Sequence, residues 1–137
     1  MSYVCLQCVN EPGSHSFHKL KETSDGIAVF YTCPAKAKYY NDYNGIISHY
    51  DGMLKEHGNK QWMWIFDSRG FSMEHALNIR LARALAQLIN NKYSHNLKKI
   101  IIVNPTWHIN ITLKIVLPFL DTRVKNLIFK SNKSFDI

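Results

Sequence analysis

Long apolar runs are missing from this 137-residue chain. The richest stretch, Ile109 to Leu120, is interrupted by Asn110 and Lys114, whereas a membrane span needs about 20 apolar residues. The opening MSYVCLQCVNEPG has neither a basic start nor an apolar block, so no secretory signal is expected. Without export, the sequons Asn110-Ile-Thr112 and Asn132-Lys-Ser134 carry no glycan. Cysteine is scarce as well. An odd count, Cys5, Cys8 and Cys33, reads as reduced thiols in the cytoplasm rather than a disulfide framework. Six glycines and four prolines exclude collagen-like and low-complexity classes. Acidic residues are the minority charge, ten against 17 basic ones, for a net charge of +7. Such a surface favours anionic partners: lipid head groups, nucleic acid or acidic proteins. The basic residues are scattered, with no run of five or six and no interleaved aromatics, so no nucleic-acid partner is expected.

Catalytic signatures are absent too. No GxxxxGK[ST] is present to cradle a phosphate, so Asp67-Ser68-Arg69-Gly70 matches a GTPase DxxG only superficially. No GxGxxG follows a strand, and there is no GxSxG nucleophile elbow. Asp67 at a strand end reads as a turn cap. The chain is expected not to be an enzyme and to need no cofactor. Cys5, Cys8, His15 and His18 form C-x2-C followed by H-x2-H, a set of zinc-type donors. The gap of six residues between the pairs is shorter than a finger's usual dozen, so no metal is expected.

Hydropathy patterning supplies the fold. Residues 1–25 hold Pro12, Gly13 and no sustained period, and read as a loosely ordered arm ending at the turn pair Asp25-Gly26. IAVFYT (Ile27 to Thr32) is β-branched and aromatic, a strand. Tyr43 to Glu56 has helical apolar spacing and stops at His57-Gly58. QWMWIFD (Gln61 to Asp67) is a continuous apolar run, expected for a strand covered on both faces. Ser72 is a good N-cap for the strongest helix, whose stripe is Met73, Leu77, Leu81, Ala84, Leu85 and Leu88. Strand IIIVN (Ile100 to Asn104), a helix over Ile109 to Leu117, and NLIF (Asn126 to Phe129) complete the order β-α-β-α-β-α-β. That order predicts an α/β fold, a mostly parallel sheet of four or five strands with helices packed on it.

The helix between Pro105 and Pro118 is apolar nearly all round, with only Asn110 and Lys114 on a narrow polar edge. A helix on a sheet needs about a third of its circumference apolar. The surplus must be hidden by protein or lie against something greasy, since exposure costs about 25 cal/mol per Å².

WMWIFDSRG, the amphipathic helix, NLKKIIIVNPTW, LPFLDTRV and NLIFKS together resemble a CRAL-TRIO lipid-binding domain of the phosphatidylinositol-transfer type. In texture the match is nearest to the divergent subgroup of Rho GTPase-activating proteins and BCH-domain relatives. The resemblance implies a domain over 26–137 whose sheet floors a hydrophobic pocket beneath a mobile gate, the helix over Ile109 to Leu117. Acyl chains would lie against Trp64, Phe66, Trp107, Ile111, Ile115 and Phe119. Arg123 and Lys125 would meet an anionic head group, and at Tyr93-Ser94-His95 a histidine stands where the family has an acid. The function implied is non-enzymatic: holding a phospholipid or other hydrophobic ligand, with cytoplasmic location and transient membrane contact. The alternative implied is a scaffold that binds a small GTPase or a second copy of itself.

Overall fold

Each apolar segment read as a strand forms one in the computed structural model, which describes residues 3–131. A short helix α1 (Leu6–Asn10) precedes strand β1 (His18–Glu22) and strand β2 (Ala28–Thr32). Helix α2 (Tyr43–His57) leads to β3 (Trp62–Asp67), then α3 (Met73–Ala76), α4 (Ile79–Leu88) and β4 (Leu97–Val103). Helix α5 (Trp107–Val116), a single turn α6 (Thr122–Lys125) and β5 (Ile128–Lys130) follow. The sheet runs β1-β2-β3-β4-β5, antiparallel at its first pairing and parallel at the other three.

Strand order that follows chain order, joined by crossovers of one hand, carries every connecting helix over the same face. That face presents Phe30, Trp62, Trp64 and Ile100, which form one core with Ile46, Tyr50 and Leu54 of α2 and Leu81 of α4. The reverse face carries Val29, Tyr31, Ile65 and Val103, joined by Cys33. Among the described residues no helix enters that second cluster. The apolar run in β3 is covered on both faces, by helices on one side, while on the other Ile65 is buried in the cluster of Val29, Tyr31, Cys33 and Val103.

Two segments differ from the sequence reading. The first 25 residues, read as a loose arm, add a strand to the sheet. Just before β1, Phe17 stacks on Tyr50 at 4.1 Å and on Phe30 at 5.1 Å. The charged side chains of Lys19, Lys21 and Glu22 then guard the open edge against further pairing. The helix expected to run unbroken from Ser72 to Leu88 is interrupted. The Asn78 side chain accepts from the Leu81 N–H at 3.4 Å and starts α4 afresh, while its amide donates to the Tyr40 carbonyl at 3.2 Å. Asn78 serves as an internal N-cap. The break leaves Met73 and Leu77 exposed rather than on the buried stripe, while Leu81 is fully buried.

Candidate functional site

A cavity of about 110 Å³ lies between the sheet and the helices α4 and α5. Its floor is Trp64 and Phe66 of β3, Ile100 and Ile102 of β4, and Ile128 of β5. These alternate residues of adjacent strands point to one side because side chains in a strand have period two. Leu85 and Ile89 close one wall; Ile109, Leu113 and Val116 of α5 close the other. Leu120 and Val124 seal the end towards β5. The lining is almost wholly apolar. The Trp64 indole N–H is satisfied outside the cavity, donating to the Thr32 hydroxyl at 2.9 Å. One polar atom stands out. The Thr112 hydroxyl, on the α5 wall, is buried without a hydrogen-bond partner among the described residues.

Helix α5 is anchored at its start. Thr106 caps it by accepting from the Ile109 N–H at 3.4 Å and donates its hydroxyl to the Phe71 carbonyl at 3.0 Å. Its face towards the sheet is Ile109, Leu113 and Val116, with Thr112 beside them. Trp107 and Ile111, named from the sequence, lie on the outer side, 62% and 36% exposed. Ile115 is half-buried and lies outside the cavity lining. Phe119 is also half-buried, under the Arg83 guanidinium at 5.5 Å from its ring centre. Of the named residues, Trp64 and Phe66 are thus brought to the cavity, Trp107 and Ile111 lie on the outer side of α5, and Ile115 and Phe119 are half-buried outside the cavity lining.

The basic residues named for a head group sit beside the cavity's end rather than in it. Arg123 donates to the Ser94 carbonyl at 2.6 Å, tying α6 to the turn that precedes β4. Lys125 is exposed one residue beyond Val124. Arg80 and Arg83 on α4 lie over the rings of Tyr43 and Phe119.

Asp67 is wholly buried. It accepts from the Tyr31 hydroxyl at 2.6 Å, from the Asn104 amide at 3.0 Å and from the Arg69 backbone N–H at 3.0 Å. Burial pushes its pKa up, but the bonds from Asn104, Tyr31 and Arg69 outweigh it and hold the carboxyl below its ordinary range. Nearby, the Phe71 N–H donates to the Ser68 carbonyl at 2.8 Å, closing a turn whose third residue, Gly70, has φ +74°. The DSRG segment is a strand-end turn. Asn104, with φ +49°, makes the matching bend after β4, where asparagine tolerates the left-handed region. These turns set the positions of Phe71 and Thr106, and so of α5. On α2 and the N-terminal segment, away from the cavity, Cys5, Cys8, His15 and His49 bring their donor atoms within 4.8 Å of one another.

No curated protein matches the chain. Among solved structures it is similar to the crystal structure of Sfh5, with a TM-score of 0.68 at 11% sequence identity. That alignment covers 93% of this chain and 51% of the Sfh5 chain, so the polypeptide spans about half its neighbour's length and shares its fold. The profile of the CRAL/TRIO domain matches residues 8–136. With that profile matched over nearly the whole of its length, the chain belongs to the CRAL/TRIO domain family.

Proposed function

We propose that this chain is a non-enzymatic lipid-binding module whose ligand lies between the sheet and α5, with α5 as the gate. The observation that carries the reading is the apolar cavity walled by Leu113 and Val116 and floored by Trp64 and Phe66. At about 110 Å³ it is smaller than the roughly 150 Å³ void that takes a benzene. Pockets for drug-sized ligands run to about 300–1,000 Å³. A lipid chain therefore enters only if a wall moves. The wall suited to move is α5, because Pro105 and Pro118 bracket it and neither can donate a backbone hydrogen bond. No helix of the described chain is long and apolar enough to cross a membrane. Contact with a bilayer is instead made by the outer surface of α5, where Trp107 and Ile111 are exposed beside Met73 and Leu77 of the neighbouring α3 segment. Tryptophan suits the boundary between head groups and acyl chains. The net charge of +7 adds attraction to an anionic surface. Thr112 offers a hydroxyl to an ester or acid group at the cavity wall.

The decisive test is organic extraction of the purified chain followed by mass spectrometry, with uptake of a fluorescent fatty acid from vesicles as its companion. A stoichiometric amphiphile is expected, and its loss when Ala82, which also lines the cavity, is enlarged in Ala82→Leu. An empty chain that also fails to take up the probe rejects the reading. A chain that is empty and dimeric by light scattering supports the rival reading, in which the exposed surface of α5 docks a second copy or a small GTPase.

A further inference from the structure

Three sulfur–nitrogen separations set the geometry at the N-terminal segment. Cys5 Sγ lies 3.4 Å from His15 Nδ1, Cys8 Sγ lies 3.6 Å from the same nitrogen, and Cys8 Sγ lies 3.7 Å from His49 Nδ1. A tetrahedral ion with bonds of about 2.3 Å to sulfur and about 2.0 Å to nitrogen spaces those ligands about 3.6 Å apart. Hydrogen bonding alone accounts poorly for the arrangement. The two thiols approach a single nitrogen, and one lone pair accepts one proton.

The outward nitrogens fit the same picture. His49 Nε2 lies 2.7 Å from the Phe17 carbonyl oxygen. A carbonyl only accepts, so Nε2 carries the proton and Nδ1 of the neutral ring is left with its lone pair facing the cysteines. His15 Nε2 lies 2.8 Å from a carboxylate oxygen of Asp42, which fixes the same tautomer. Metal-ligating histidines characteristically donate their other N–H to a carboxylate or carbonyl in this way. Asp42 is itself positioned as the N-cap of α2, accepting from the Gly45 N–H at 3.3 Å. Cys5 Sγ also accepts from the Cys8 N–H at 3.4 Å.

The first turn of the segment has little apolar burial of its own, its ties to the fold including the Tyr3 N–H donating to Glu56 at 2.8 Å and the Tyr39 hydroxyl donating to Glu11. Helix α1 has five residues and buries none of them. Val4, Leu6 and Val9 are exposed. An isolated helix below about 12 residues does not hold in water.

We propose that Cys5, Cys8, His15 and His49 form a closed tetrahedral zinc site that staples the N-terminal segment to α2. Two thiolates and two imidazoles in tetrahedral array select zinc among common divalent ions. Four protein ligands leave no open position, so the ion's role is structural. The fourth ligand is where sequence and structure part. Spacing offers His18, but Phe17 turns into the core and the next residue of an extended chain points the other way. His18 packs beside the Tyr31 ring at 5.5 Å, and His49, 34 residues beyond His15, takes the place.

The test is a Co²⁺ titration of the full chain, reduced and stripped of metal. Thiolate-to-cobalt charge transfer and tetrahedral visible bands are expected to saturate at about one ion per chain and to vanish on adding Zn²⁺. Cys8→Ser is expected to lower the charge-transfer signal by about half or more, and His18→Ala to keep it in full. If Cys8→Ser fails to fold, alkylation of the wild type decides. Zn²⁺ is expected to slow labelling of Cys5 and Cys8 at least tenfold while leaving buried Cys33 unchanged. A spectrum without tetrahedral bands, an undiminished signal in folded Cys8→Ser, loss of signal in His18→Ala, or labelling indifferent to Zn²⁺ overturns the proposal.

Discussion

Asp67 shows how a single residue in a suggestive position can be wholly structural. It stands at the carboxyl end of a parallel strand, where α/β sheets bind ligands, yet its oxygens are taken by Tyr31, Asn104 and the Arg69 backbone. Replacing it by alanine takes the acceptor from three donors, the buried Tyr31 hydroxyl among them, and a loss of about 2 kcal/mol in urea unfolding is expected. Its lowered pKa fixes the sign of its pH dependence. The stability it contributes is present above the unfolded value near about 4 and is lost as pH falls through the lower folded value. His75 acts in a higher window. Burial lowers its pKa, with Glu74 opposing, and its Nδ1 accepts the Ser72 N–H at 3.0 Å. Protonation removes that acceptor, so stability held above about pH 6.5 declines on acidification through the folded pKa. His75→Gln accepts without titrating; its thermal midpoint is expected to fall less than the wild type's between pH 7 and 5.5.

At the scale of elements, α5 decides how the candidate site is read. Ile109, Leu113, Val116 and Leu120 recur at helical spacing, and so do Ile111 and Ile115. A helix apolar nearly all round carries no periodic signal for which stripe faces the sheet. Packing chose the first stripe, because the turns at Gly70 and Asn104 and the Thr106 bond to Phe71 set the rotation of α5 about its axis. The two faces make opposite predictions. Leu113→Asp is expected to abolish uptake of a fluorescent fatty acid. Ile111→Asp is expected to leave uptake in solution intact while slowing exchange with anionic vesicles several-fold, with near-native far-UV spectra. Loss of uptake in both would mean the helix rotates on opening. The break between α3 and α4 teaches a similar lesson. Asn78 was visible within the helical pattern, but its capping role depends on Tyr40, which lies 38 residues away along the chain.

For the whole molecule, a two-layer sheet with helices on one face leaves its cavity at the junction of the layers. Void space there is a packing defect in the empty state and a binding site in the filled one. A ligand that binds only the folded chain stabilises it by about 2.7 kcal/mol at a hundredfold excess over Kd. Delipidated protein is accordingly expected to melt several degrees below protein as purified, and re-addition of the extracted lipid to restore the difference; identical midpoints would count against ligand binding.

Local chemistry wrote the element order into the chain. Continuous apolar runs between turn residues specify parallel strands, and alternation with amphipathic segments specifies crossovers, so the α/β class was legible from spacing, whereas Trp64 and Phe66 were singled out through the family resemblance. The antiparallel β1 was not, because an edge strand needs only half its hydrogen bonds and tolerates charged side chains such as Lys19 and Lys21. Tertiary structure alone decided which stripe of α5 faces inward and which histidine joins the cysteines. Both depend on pairs of residues far apart in sequence, whose meeting is set by the packing of α2 and α5 on the sheet and leaves no periodic trace in the chain.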